Sequence, residues 1–340
     1  MRVGIRVPPC APVPELAAFA AEAERSGVDE VWFPDSQLLW RDVFAVASAA
    51  VAATARITVG TAVGNVATRH PSVVASAART VAEQAPGRFV LGLGVGNSSV
   101  LPVGIPPSTG AELRAGVEQV RSLLAGNEVA YPGVRSRLRD PRPVPIHVAA
   151  SGPRNLRLAG EIADGAILLS GVAPAPLAAA TARVQEGAAA AGRAPVPMTV
   201  SAFCRVTDDV ERDARELKPI CAGIAQHGGA ASLALAGIRV DVPAQLPGVY
   251  PDLVHAEDWA GAVEACDPYV SDADAVAFAR AFCLFGTPQE IVTRVTEAAA
   301  AGADAVFLQH VGSYDLPRTL LADVAERVLP LLGRLPVSSP

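Results

Sequence analysis

The stretch VGTAVGNVATRHPSVVAS, Val59–Ser76, turns from a strand into a helix within a few residues. β-Branched and small residues lead to Val63, and an amphipathic, Ala-rich run opens at Ser72 behind Pro71, a residue suited to a first helical turn. Between them lie Gly64-Asn65 and then Thr68-Arg69-His70. An Arg and a His this close to a strand end could take part in catalysis, grip a phosphate, or simply open the helix. The unit decides the fold because it recurs.

Short β-branched runs ending in small or polar residues occur at Val3–Val7, Glu30–Pro34, Ile57–Val63, Phe89–Leu93, Pro145–Ala149, Ala166–Leu169, Met198–Arg205 and Ala305–Gln309. Helical patterns follow at Pro14–Ser26, Val43–Ala53, Ser72–Gln84, Ala111–Ala125, Arg154–Ala163, Pro176–Ala191, from near Asp208, and at Leu316–Leu332. Eight such units in strict alternation, without a break in composition, predict an α/β fold: one (β/α)8 TIM barrel across residues 1–340. A barrel of this kind needs about 250 residues, so the surplus is expected in insertions at about 126–143 and 217–285. The larger falls between strands seven and eight, and helix Pro288–Ala300 then leads into strand eight.

Composition narrows the function. Apolar residues make up 51% of the chain but aromatics only 5%, so the core is built of small side chains. A net charge of −6 offers no basic face for nucleic acid. The only lysine, Lys218, lies in Glu-Leu-Lys-Pro and reads as a solvated helix end, which weakens any Schiff-base mechanism. Five cysteines, odd in number and without a Cys-x-x-Cys pair, point to a reducing compartment rather than disulfides or zinc. The N-terminus lacks the apolar core of a signal peptide, and apolar windows such as Gly165–Val184 are broken by Gly and Pro. A cytoplasmic protein without a membrane span is expected.

In barrels of this type the chemistry lies at the C-terminal strand ends. Those positions read Pro8-Pro9-Cys10, Asp35-Ser36, Gly64-Asn65, Gly96-Asn97, Ser151-Gly152, Ser170-Gly171, Arg205 and His310. Asp35 is the one carboxylate, which disfavours a metal centre and paired-carboxylate glycosidase chemistry. A neutral rim rich in hydrogen-bonding groups suits a large, planar, partly apolar cofactor. Gly92-x-Gly94-x-Gly96 lacks the spacing and following helix of a dinucleotide turn; its small residues let strand four pack closely and a ligand approach backbone. Ser151-Gly152-Pro153 opens a helix beside Arg154, either as an anion site or as a cap made by Ser151. His147 reads as a core residue within strand five, His310 could face the site, and His227 and His255 fall in the insertion. Cys10 has no activating base beside it. The insertion and the Leu101–Pro107 loop are expected to wall the substrate pocket, whereas Tyr250 and Trp259 read as ordinary packing residues.

Four segments, VWFPDSQLLWRD (31–42), GTAVGNVATRHPSVVASAARTVAEQAPGRFVLGLGVGN (60–97), SGPRNLRLAGEIADGAIL (151–168) and FGTPQEIVTRVTEAAAAGADAVFL (285–308), give the chain its resemblance to the bacterial luciferase-like superfamily. Within it, the chain is similar to coenzyme F420-dependent methylenetetrahydromethanopterin reductases and their bacterial relatives. The resemblance implies a (β/α)8 barrel, a deazaflavin or flavin across the C-terminal mouth, hydride transfer, and commonly a homodimer. It also implies a non-prolyl cis peptide ending strand three, Ala62-Val63 by position.

Carried over residue by residue, the resemblance makes Asp35 and Asn97 the catalytic candidates. Ser36, Ala62, Val63, Gly64, Asn65 and Gly96 would lie around the cofactor ring, and Ser151, Gly152 and Pro153 near its phosphate tail. Arg69 and His70 rank second, as contacts to the tail or a neighbouring loop. Ser36 stands where the archaeal reductases have His, and Asn97 where many relatives have Asp, so a pterin substrate does not carry over. The function expected is hydride transfer between coenzyme F420 and a small organic substrate. The alternatives are an FMN-dependent monooxygenase and a cofactor-binding barrel without turnover.

Overall fold

In the first strand, Val3, Ile5 and Val7 join the apolar layer beneath the helices, while Gly4 faces the other way. A Cβ on Gly4 would lie 3.0 Å from the Cβ of Glu30 and 3.2 Å from that of Phe307, its neighbours on the two adjacent strands. The period-2 alternation of a strand thus separates a helix-facing surface from an interior one. The computed structural model describes residues 1–312 and 314–333. Ser313 and residues 334–340, which include the expected domain end, lie outside the described residues.

The barrel strands are β1 (Arg2–Arg6), β2 (Glu30–Phe33), β3 (Thr58–Thr61), β4 (Phe89–Leu93), β5 (Ile146–Ala150), β6 (Gly165–Leu168), β7 (Met198–Val206) and β8 (Ala305–Gln309). Each pairs in parallel with the next, and β8 returns to β1 with Ile5 opposite Leu308, closing the (β/α)8 barrel. Trp32, Ile167 and Phe307 fill the interior, with Val63, Val90 and Ala149 packed on them. Trp32 fits because β3 offers Gly60, where a Cβ would meet the indole at 2.4 Å. The interior is a packed floor rather than a pore.

Short local signals set the surrounding helices. Asp42 caps Val43–Ala53, His70 caps Pro71–Gln84, and Thr287 with Glu290 forms a capping box on Pro288–Ala300. Between β4 and β5 a small antiparallel hairpin pairs Val129–Tyr131 with Val134–Ser136. Between β7 and β8, helices Lys218–Ile224, Ala230–Leu235, Trp259–Cys266 and Asp272–Phe282 contribute to a second apolar cluster, including Leu217, Leu233 and Phe278. A strand at Leu284–Gly286 adds to the end of β7.

Lys218 corrects its reading as a solvated helix end. It is 2% exposed, and its Nζ holds Asp267 at 2.5 Å and Asp272 at 2.6 Å. Its helix packs inward against Trp259–Cys266, and carboxylates some fifty positions away compensate the ammonium. Among the described residues, no helix is long and apolar enough to cross a membrane.

Candidate functional site

The site begins where β3 ends. The Ala62–Val63 peptide is cis, as the resemblance implies. Around it, Ala62 N–H donates to Phe33 O (2.7 Å), Gly64 N–H to Gly92 O (2.9 Å) and Gly94 N–H to Gly64 O (2.9 Å). Thr61 Oγ1 both donates to Gly92 O and accepts from Gly92 N–H, each at 2.8 Å. The bulge is therefore stitched to β2 on one side and to β4 on the other. Glycine permits the closeness: a Cβ on Gly92 would lie 1.9 Å from Thr61 O, and one on Gly94 2.9 Å from Val63 Cγ2. The Gly-x-Gly-x-Gly run serves strand packing.

Above the bulge opens a cavity of about 250 Å³. Of the candidates read from sequence, Asp35, Ser36, Ala62, Val63, Gly96, Asn97 and Ser151 line it, whereas Gly64, Asn65, Gly152, Pro153, Arg69 and His70 do not. Asp35 is 5% exposed; its Oδ2 accepts from the Arg69 guanidinium, and its Oδ1 has no partner among the described residues. Burial pushes the Asp35 carboxyl up, and the Arg69 bond and charge pull against it. Arg69 also holds Asp42 at 2.7 Å and packs over the Phe44 ring, so it stands behind Asp35 rather than in the cavity.

The other absentees brace the structure. Asn65 is 1% exposed; its Oδ1 accepts from the N–H groups of Ala67 (2.9 Å) and Thr68 (2.8 Å), and its Nδ2 donates to Ser99 Oγ (3.0 Å). His70 is exposed, accepts from Ser72 N–H at 3.2 Å as the helix cap, and lies 5.6 Å from the Tyr131 ring. Ser36 Oγ meets Ser98 Oγ at 2.6 Å, and Gln37 Nε2 donates to Ser99 O at 2.6 Å, which ties the Gly94–Ser99 loop to the end of β2. Gly152 caps helix Pro153–Ile162 with no side-chain hydrogen bond, so Ser151 does not cap it. A Cβ on Gly152 would meet nothing within 4 Å, and Ser151 and Asn155, on either side of the helix start, line the cavity.

The histidines separate by environment. His147 packs 6.0 Å from the Trp32 ring, its Nδ1 has no partner among the described residues, and burial lowers it to about 4. His310 does not line the cavity; burial and the Arg6 charge lower it to about 4. His255, from the 217–285 segment, is buried and meets Trp40 edge-on at 5.3 Å. Tyr250 is 70% exposed and so is not the packing residue expected, whereas Trp259 donates to Glu216 O at 3.1 Å, as a packing residue would. Neither the 217–285 segment nor the Leu101–Pro107 loop supplies a lining residue.

Several lining residues were not candidates from the sequence, among them Arg6, Trp40, Asn155 and Leu169. Arg6 carried a signal in the alternation of β1, which places it on the face of Gly4 rather than that of Ile5. Trp40 carried none, because its position follows from the chain folding back after β2.

Comparison with known proteins gives the architecture a lineage. The family model for luciferase-like monooxygenase matches residues 1–305. The 5,10-methylenetetrahydromethanopterin reductase of Methanolobus tindarius is 32% identical over 229 residues, covering 64% of this chain and 68% of that one. The F420-dependent glucose-6-phosphate dehydrogenase of Beutenbergia cavernae is 38% identical over 177 residues, 46% of this chain and 53% of its own, so the match spans about half of that relative. The structure of coenzyme F420 dependent tetrahydromethanopterin reductase from Methanopyrus kandleri superposes with a TM-score of 0.76 over 97% of this chain and 99% of that one; at 21% identity this is a likeness of fold. With most of its length matched and its barrel closed in the same way, the chain belongs to the luciferase-like monooxygenase family.

Proposed function

We propose that this protein is an oxidoreductase that moves a hydride between coenzyme F420 and a small organic substrate. The observation that carries the reading is the pairing of a buried carboxylate oxygen on the cavity without a partner among the described residues, Asp35 Oδ1, with a helix start at Gly152 that has no side-chain cap and follows the lining residue Ser151. A planar heterocycle with polar edges and an anionic tail fits that combination. Relatives whose names state F420 dependence support the choice of cofactor.

Bound F420 supplies a deazaflavin ring able to give or take a hydride; the protein supplies its surroundings. Val63, Ala149 and the glycine backbone of Gly94 offer a flat, apolar wall. Ser36 and Asn97 offer hydrogen bonds at the rim, and Val63 N–H, unlike the amides of Ala62 and Gly64, has no partner among the described residues. Asp35 accepts a hydrogen bond at Oδ1 and, with its carboxyl raised by burial, can hold or pass a proton there. The helix start at Gly152, with Arg154 next to it, holds the phosphate of the tail. Gly64, Asn65, Arg69 and His70 act behind these groups by fixing the loops. The reading also takes the chain as one barrel with insertions at about 126–143 and 217–285, working as a cytoplasmic homodimer; sedimentation of the purified protein checks the dimer.

Titration with F420 and with FMN tests the proposal. F420 is expected to bind and FMN to bind at least tenfold more weakly; tight FMN binding with oxygen consumption would establish the monooxygenase instead. Binding of F420 without turnover on a panel of carbonyl, imine and alkene compounds would point to an accessory barrel. Gly152→Asp is expected to weaken F420 by about tenfold, since a carboxylate would oppose the phosphate at the helix start. Unchanged affinity would remove phosphate from that position.

A further inference from the structure

Arg6 stands at the end of β1, on the inward face, and lines the cavity. Among the described residues its guanidinium has no hydrogen bond and no ion pair; its one recorded contact is the Trp40 ring, 5.4 Å away. The single carboxylate on the cavity, Asp35, is already held by Arg69. His310, which feels the Arg6 charge, is kept neutral at ordinary pH, chiefly by burial. The cavity therefore carries one positive charge without a counter-charge. Burial lowers Arg6 to about 10, so it remains protonated at neutral pH.

A desolvated guanidinium without a partner opposes folding, and at an interior position neutral side chains would serve the barrel better. Its placement suits recognition. The Trp40 face orients the plane of the guanidinium, and the N–H edge can grip two oxygens of a carboxylate or phosphate at once. Strand order then says which oxyanion. β1 and β5 are four strands apart in a closed ring of eight, so Arg6 and the helix start at Gly152 occupy opposite sides of the mouth. On the F420 reading, on which this inference rests, the cofactor tail takes the β5 side, and a second anion is needed for the β1 side.

We infer that Arg6 determines substrate class: the organic substrate carries a carboxylate or phosphate group, and that group docks on the Arg6 guanidinium against Trp40. Asp35 and the β3 bulge lie between the two anion positions, where the reacting carbon would be presented to the ring.

The test titrates wild type, Arg6→Lys and Arg6→Gln calorimetrically with inorganic phosphate, with malonate, and with glycerol as the neutral control. Each titration is run with and without F420, and the F420 affinity of each protein is measured separately. At least one oxyanion is expected to bind wild type in a one-to-one ratio, and Arg6→Gln to weaken it tenfold or more. Arg6→Lys should retain more affinity than Arg6→Gln, glycerol should not compete, and F420 affinity should stay within twofold throughout. The stronger of the two oxyanions identifies the group. Equal oxyanion affinity in wild type and Arg6→Gln would overturn the inference, as would no oxyanion binding to wild type. A tenfold fall in F420 affinity in Arg6→Gln would also overturn it, because Arg6 would then serve the cofactor. Should wild type bind no F420 while oxyanion binding still depends on Arg6, the cofactor reading fails and the anion site stands.

Discussion

Two arginines flank the mouth of this barrel, and their surroundings differ. On the β2–β3 side, Arg69 lies behind the cavity between Asp35 and Asp42, so its charge is balanced and its geometry fixed. On the β1 side, Arg6 faces the cavity against an aromatic ring and, among the described residues, pairs with no carboxylate. The first is a structural cation that makes a buried acid tolerable. The second has no structural reason to be charged. The same side chain thus supports the fold in one place and strains it in another, and the strained one is the better guide to function.

Removing each arginine should separate the roles most clearly. Arg69→Met is expected to cost about 3 kcal/mol at pH 8, because it leaves Asp35 buried without its partner. The loss should shrink at pH 5. The Asp35 carboxyl is already raised, and without Arg69 it rises further, so the folded variant takes up a proton as pH falls and sheds the uncompensated charge. Urea melts at the two pH values check this; an equal loss at both would mean that the ion pair is not the cause.

His147 sharpens the contrast, because it is also buried without a charged partner but can release its proton. Burial lowers it from 6.5 to about 4, so the folded protein holds it neutral. Its share of stability is complete above pH 6.5 and falls as pH drops toward 4, where the unfolded chain binds a proton that the folded one refuses. The slope is about 1.4 kcal/mol per pH unit in that window. His147→Leu should flatten the pH dependence of the melting free energy by that amount, and an unaltered slope would refute the assignment. The smallest effect is expected from Arg6→Met. Without ligand it should stabilise the protein by about 1 kcal/mol, since an unpaired buried charge is removed. A loss of comparable size in thermal melts would show that Arg6 supports the fold through Trp40.

Much of the architecture was legible because it is periodic. The β1 alternation of Val3, Ile5 and Val7, and the repeated passage from a β-branched run to an Ala-rich helix, need no distant partner to be recognised. Helix Val43–Ala53 matches its reading to the residue, with Asp42 in place as the cap. The site was legible only in part. Asp35, Ser36, Ala62, Val63, Gly96, Asn97 and Ser151 meet on one cavity because strand ends converge in any such barrel. Arg69 and His70, equally near a strand end, turn away because Asp35 and the helix N-terminus offer them partners. The burial of Lys218 escapes its local sequence for the same kind of reason: Asp267 and Asp272 belong to a later helix pair, and nothing local announces them.

By itself, then, the sequence determined the alternation, the helix starts and the small residues that let β3 and β4 approach, all of which depend on neighbours within a few positions. Only the tertiary structure decided which charges would be paired. That depends on where the chain returns: Arg69 reaches back to Asp35, His255 reaches Trp40, and among the described residues no carboxylate reaches Arg6. Burial makes the difference count, because a charge that is cheap in water must be matched once water is excluded.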